Sequence, residues 1–146
     1  MGRRGANWAE INLDAKLWTV PAERIKVGKE HVVPPTEAAI DALERARPHY
    51  AECSELVFPG RNVLRPMSDM TLLKILRYAK LPFTVHGFRS AFRDWAAEKT
   101  SYPGEVAEAA LAHTVRNKVE AAYRRTNYLD KRRELMREWS DFCVGR

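Results

Sequence analysis

The sequence predicts an α+β fold that is mainly α, one domain over residues 1–146 with a small antiparallel three-stranded sheet near its N-terminal end. Three observations predict it. A chain of 146 residues with 45% hydrophobic content can bury one core but hardly two. Two stretches rich in β-branched and aromatic residues flank a polar segment around Gly28. From residue 36 onward, apolar residues recur mostly at helical spacing between capping and breaking residues.

Taken in order, Trp8 to Asp14 reads as a helix end running into a turn. Lys16–Pro21 and His31–Pro34 read as two strands of a hairpin, and Leu56-Val57-Phe58, stopped by Pro59-Gly60, as the third strand. Thr36 can cap a helix from Glu37 to about Arg47, with Ala39, Ile40 and Leu43 inward. Ser68 caps a helix to about Tyr78, with Leu72, Leu73, Ile75 and Leu76 inward. After Pro82, a helix from about His86 to Lys99 carries a buried stripe of Phe88, Ala91, Phe92, Trp95 and Ala96. Pro103 suits the first turn of a helix to about Ala112. A short helix spans Asn117 to Arg124, and Asn127, with Asp130 three residues on, caps a last helix through Leu135, Met136, Trp139 and Phe142.

Charge narrows the partners. Twenty-five basic against 19 acidic residues give +6 and a pI near 9.5. Between Met70 and Arg93 there is no acid, while Lys74, Arg77, Lys80, Arg89 and Arg93 are all basic. Between Arg116 and Arg137, eight basic residues outnumber Glu120, Asp130 and Glu134. Such segments read either as solvated helix faces or as the footprint of an anionic partner. No apolar run reaches bilayer length and no signal segment is visible, so a cytoplasmic location and no membrane partner are expected. Cys53 and Cys143 lack metal-ligand spacing. His31, His49, His86 and His113 show no paired-ligand pattern with carboxylates, which argues against a metal-dependent hydrolase.

Five residues have an ordinary structural reading when taken alone. His86 and Arg89 stand one helical turn apart and project from one side, as many surface pairs do. His113 ends an apolar helix, where a ring interacts with the helix dipole. Tyr123, in Glu120-Ala121-Ala122-Tyr123-Arg124-Arg125, can be a half-buried aromatic, and Lys26 a solvated loop lysine.

In their order, however, Lys26, His86-x-x-Arg89, His113 and Tyr123 resemble the tyrosine recombinase family, in its prophage integrase form. The flanking residues carry the likeness as well. They are Pro21-Ala22-Glu23-Arg24-Ile25-Lys26 with Val33-Pro34, and Leu56-Val57-Phe58-Pro59-Gly60. Further on come Thr84-Val85-His86-Gly87-Phe88-Arg89-Ser90-Ala91-Phe92-Arg93-Asp94-Trp95 and Glu108-Ala109-Ala110-Leu111-Ala112-His113. The resemblance covers nearly the whole chain and implies a helical tyrosine-recombinase catalytic domain.

The resemblance also implies the chemistry, site-specific DNA recombination and integration without cofactor, metal or small-molecule substrate. Tyr123 would attack a phosphodiester and form a 3′-phosphotyrosyl link, releasing a 5′-hydroxyl. Arg89 and His113 would stabilise the phosphoryl charge, and His86 would accept the tyrosine proton or support the same phosphate. Lys26 would protonate the departing 5′-oxygen, with Lys29 as second candidate. Lys29, Arg93 and Arg116 are expected to contact DNA. Partners implied are double-stranded DNA and other integrase protomers, four in the working assembly.

A further arginine of the family, in a Thr-Gly-x-Arg-like segment before the stretch that starts here at Trp8, would fall before Met1. The core-binding and arm-binding domains are also expected to be missing. The chain is therefore expected to be an N-terminally truncated catalytic domain, weak or inactive alone. The alternative is a non-catalytic remnant that binds DNA or partner protomers, with Trp139 and Phe142 as an anchor.

Overall fold

The computed structural model describes residues 5–25, 28–50, 53–113 and 127–145, with the side chains of 48–50 and 69 excepted. Its elements are a 3-10 turn at Trp8–Glu10, strands β1 (Ile11–Asn12), β2 (Leu17–Val20) and β3 (His31–Val33), and five described α-helices. These are α1 (Glu37–Tyr50), α2 (Asp69–Tyr78), α3 (Gly87–Lys99), α4 (Gly104–Ala110) and α5 (Leu129–Val144). The mainly helical α+β class is as the sequence predicts. Among the described residues no helix is long and apolar enough to cross a membrane.

The sheet is three-stranded, antiparallel and ordered β1-β2-β3. Its hairpin is the predicted one, with Trp18 opposite Val33 and Val20 opposite His31. Its third strand is not the predicted one. Ile11–Asn12, read as part of a turn, pairs with Trp18 and Leu17 across a tight turn whose Lys16 takes a left-handed φ of 52°. Leu56-Val57-Phe58 instead runs against the N-terminal segment. Val57 N–H donates to Ala6 at 2.8 Å and Trp8 N–H to Glu55 at 2.9 Å, and Asn7 bridges Leu56. Pro59 stops that pairing before it becomes a strand, because proline has no N–H to continue the ladder.

The helix starts follow local chemistry. Thr36 Oγ1 accepts from Ala39 N–H at 3.3 Å ahead of α1, and Ser68 Oγ accepts from Met70 N–H at 3.1 Å ahead of α2. Thr84 Oγ1 accepts from Gly87 N–H at 3.0 Å, so the cap of α3 falls to Thr84. Asn127 Oδ1 accepts from Leu129 N–H at 3.1 Å and opens α5, while Tyr128 takes a left-handed φ of 54°. The short helix expected at Asn117–Arg124 lies outside the described residues.

The core forms where α3, α4 and α5 meet. Phe92, Trp95 and Ala96 of α3, Val106 and Ala107 of α4, and Leu135 of α5 are buried together. Trp139 of α5 is wedged among aromatic rings, 5.1 Å from Trp95 and edge-on to Phe92 at 5.5 Å, and Phe142 stacks on it at 5.6 Å. Trp139 and Phe142 thus pack on their own chain. Two tyrosine hydroxyls lace the rim, Tyr102 donating to Glu138 and Tyr128 to Glu105, both at 2.8 Å.

The stripe expected on α3 is buried only in its middle. Phe92, Trp95 and Ala96 are covered, but Phe88 in the first turn is 54% exposed, and Ala91 is exposed. Likewise the face expected inward on α2 stays open, with Leu72 and Ile75 at 41% and 55% exposure and Leu73 and Leu76 half-buried. On α1, Ile40 is buried and Leu43 half-buried, while Ala39 is exposed.

The end of α4 is set by backbone bonds. Ala112 N–H donates to Ala109 O at 3.1 Å and His113 N–H to Glu108 O at 2.9 Å, with Ala112 in the left-handed region at φ 54°. That paired pattern is a Schellman motif, normally built on glycine, and it turns His113 back over the helix it follows. Replacing Ala112 by glycine removes a Cβ from a left-handed position and should raise stability by about 1 kcal/mol, read as a higher urea midpoint at unchanged slope. Trp139→Ala should lower it by about 3 kcal/mol in the same titration.

Candidate functional site

Two segments that lie far apart in the sequence meet at one polar cluster. Burial of Phe92 and Trp95 fixes the rotation of α3, and this directs Arg89 and Arg93, one turn apart, toward the C-terminal end of α4. There Arg89 Nε donates to His113 Nε2 at 3.2 Å, and its Nη2 donates to Leu111 O at 2.7 Å. The carbonyl is available because Leu111 caps α4 and, with the Schellman turn at Ala112, lies outside the helix's own hydrogen-bond ladder.

Glu108 completes the cluster. One carboxylate oxygen bonds His113 Nδ1, and the other pairs with Arg93 Nε at 3.0 Å. These bonds set the ring's tautomer, the proton sitting on Nδ1 facing Glu108 and the Nε2 lone pair receiving Arg89. The bonds Arg89–His113–Glu108–Arg93 therefore run from α3 to the end of α4 and back, linking two guanidinium groups and an imidazole through the Glu108 carboxylate. Arg89 is half-buried, and His113 and Arg93 are exposed, so the cluster faces solvent on one side.

The expected site residues distribute as follows. Arg89 and His113 are brought together directly. His86 lies one turn ahead of Arg89, exposed at the N-terminal end of α3, and its ring makes no cap bond and none to the cluster. Lys29 is exposed beyond Gly28 on the β2–β3 connection and makes no bond to the cluster. Arg93 is held by Glu108 as part of the cluster. Lys26, Tyr123 and Arg116 lie outside the described residues. Among the described residues no three His, Cys, Asp or Glu side chains converge as a metal site.

Glu108 is the residue that sequence reasoning missed. Its signal was the spacing itself: five residues before His113, it supplies the carbonyl that a Schellman motif joins to the His113 amide, and its side chain starts beside that bond. A concavity of about 860 Å³ between α1 and α5 is lined by Lys16, Glu37, Asp41, Arg133, Arg137 and Asp141 among others, and contains none of the cluster. An open, cationic surface rather than an enclosed pocket suits an extended polyanion better than a small molecule.

Comparison with known proteins fits this picture. The model of the phage integrase family matches residues 4–130. The prophage integrase IntA of Escherichia coli K12 is 37% identical over 139 residues, covering 93% of this chain and 33% of that protein. The integrase of Enterobacteria phage P4 is 32% identical over 157 residues, covering 95% of this chain and 36% of that protein. The integrase of Shigella phage Sf6 is 32% identical over 143 residues, covering 95% and 37%. The chain thus spans about a third of the length of these relatives. No solved structure matches it. With the family's model over most of its length and a likeness of this extent to several integrases, the chain belongs to the phage integrase family, as a tyrosine recombinase catalytic domain.

Proposed function

We propose that this chain carries the strand-transfer chemistry of site-specific DNA recombination, as a single catalytic-domain unit acting on double-stranded DNA with other protomers. The observation that carries the reading is the direct bond between Arg89 and His113, two residues from separate motifs whose joint use is phosphate binding. Family membership supports it, as does the acid-free, basic run from Met70 to Arg93 leading into the cluster.

The reaction is a phosphoryl transfer. The Tyr123 hydroxyl oxygen attacks the phosphorus, the bond to the 5′-oxygen breaks, and the DNA is held as a 3′-phosphotyrosyl ester until a 5′-hydroxyl reverses the step. Negative charge accumulates on the non-bridging oxygens. Arg89 answers it with a planar set of charged donors, and His113 with Nε2 once the ring is protonated. Arg89 and His113 then exchange their mutual bond for bonds to the phosphate. Glu108 keeps the ring aligned throughout, because its hold is on Nδ1 and not on the nitrogen that faces the substrate. His86 takes the tyrosine proton or supports the phosphate, and Lys26, or else Lys29, gives a proton to the 5′-oxygen. Lys29, Arg93 and Arg116 contact the DNA backbone.

A second reading is a chain that binds DNA or partner protomers without turnover. It draws on Trp139 and Phe142, of which Phe142 stays 56% exposed although it stacks on Trp139, and on the open apolar surface of Leu72, Ile75, Tyr78, Phe83 and Phe88.

Incubation with nicked duplexes that trap covalent intermediates separates the two. The protein should give a protease-sensitive DNA adduct, formed slowly, that Tyr123→Phe abolishes; binding without any adduct would leave the second reading. Arg89→Lys should slow adduct formation by roughly 10²-fold or more, since lysine replaces a planar fork with a point charge. Glu108→Gln should cost about tenfold while leaving the DNA-binding curve in place. Affinity should fall by on the order of tenfold or more between about 50 and about 200 mM salt, and a flat response would contradict phosphate contacts.

A further inference from the structure

A second polar knot lies away from the cluster, at the start of α5. Arg132 is 2% exposed, the largest fully buried side chain in the described structure. It has no carboxylate partner among the described residues. Its Nη2 donates to Val32 O at 2.7 Å and lies 3.4 Å from His31 Nε2, and its Nη1 donates to Asn127 O at 3.3 Å. Its Nε is buried with no bond among the described residues, and burial pushes the guanidinium down to about 10.

Stability alone gives little reason for such an arrangement. A charge taken out of water without a counter-ion is costly, and an apolar side chain of similar volume often serves the fold equally well. What the guanidinium does that an apolar side chain cannot is fix direction. Its bonds reach two different parts of the chain, strand β3 on one side and the residue preceding Tyr128 on the other. Strand β3 closes the connection that carries Lys26 and Lys29, and Asn127 follows Tyr123 by four residues. One buried side chain therefore ties the lysine hairpin to the stretch that continues from the tyrosine.

We propose that Arg132 is a positioning residue for strand transfer, locking the β2–β3 hairpin to the start of α5 so that the hairpin lysine meets the departing 5′-oxygen. This rests on the strand-transfer reading above. In cleavage the bond from Tyr123 oxygen to phosphorus forms, the bond from phosphorus to the 5′-oxygen breaks, and the lysine proton goes to that oxygen. If sulfur replaces the bridging 5′-oxygen, the leaving group is a thiolate, stable without the proton. Lysine placement then ceases to matter, whereas placement of the tyrosine and the phosphate-binding groups still does.

The test compares the protein with Arg132→Lys and Arg132→Met. The substrates are nicked duplexes carrying one oxygen- or sulfur-bridged linkage at a fixed position among randomised bases. Amide exchange is followed on the same three proteins. Both variants should form adduct about tenfold or more slowly on the oxygen substrate and within about threefold of the parent on the sulfur substrate. Amides of β2 and β3 should exchange faster in the variants, with the Phe92–Ala96 stretch of α3 still protected. Equal losses on both substrates, or no loss, would overturn the proposal, as would faster exchange everywhere or nowhere. If the parent protein forms no adduct on either substrate, the strand-transfer reading falls. The exchange pattern then decides Arg132 by itself: acceleration confined to the hairpin keeps the clamp, and any other pattern removes it.

Discussion

The packing of Trp139 against Trp95 and Phe92 is the constraint from which the rest of the candidate site follows. A helix has one rotational degree of freedom about its axis, and burying two large rings on one side of α3 removes it. With Phe92 and Trp95 inward, Arg89 and Arg93 have only the flank that meets the end of α4. The same aromatic seam holds α5 in place, and with it Leu135, which is completely buried. A fold whose helices α3, α4 and α5 share one small core can thus present rigidly what its exposed loops could not.

Coverage of that core also sets where order in packing ends. Phe88 continues the stripe of Phe92 and Trp95, yet it is 54% exposed because it sits in the first turn of α3, away from the seam. Leu81, Phe83 and Val85 before it are open as well. The apolar positions of α2 repeat with helical period, but period specifies only which residues share a face, not that a neighbour covers it. This is why the helix itself was legible in the sequence from Ser68 to Tyr78 while the burial of Leu72 and Ile75 was not.

The same distinction separates the legible from the illegible elsewhere. Caps are local, so Thr36, Ser68, Thr84 and Asn127 mark helix starts that sequence reading finds within a residue or two. Strand partners are not local. Leu56-Val57-Phe58 has the composition of a strand, but the Val57 amide meets Ala6 and the preceding Glu55 carbonyl meets Trp8 rather than the hairpin, and the two residues Ile11 and Asn12 are too few to show a period. Arg89 and His113 could be singled out from motif and order, whereas Glu108 acquires a role only when the turn at Ala112 folds the ring back onto it. Arg132 was read as one more cation in a basic segment. Nothing in composition distinguishes a solvated arginine from one enclosed by three acceptors on other parts of the chain.

A carboxylate inside a cluster meant for phosphate would at first sight work against binding. Glu108 escapes this because both of its oxygens are engaged, one by the ring of His113 and one by Arg93. Its charge is directed along bonds to cations instead of toward the open side. Without it, Arg89 and Arg93 would repel one another in the absence of DNA, and they and the ring of His113 would have to be ordered when the phosphate arrives. With it, the ring is already oriented and Arg93 already located, so less side-chain freedom remains to be lost at the transition state. The cost is some attraction for the phosphate, and the gain is that the donors stand where charge will develop. For a transfer in which the protein's contribution is mainly placement and electrostatics, that exchange favours the rate over the affinity.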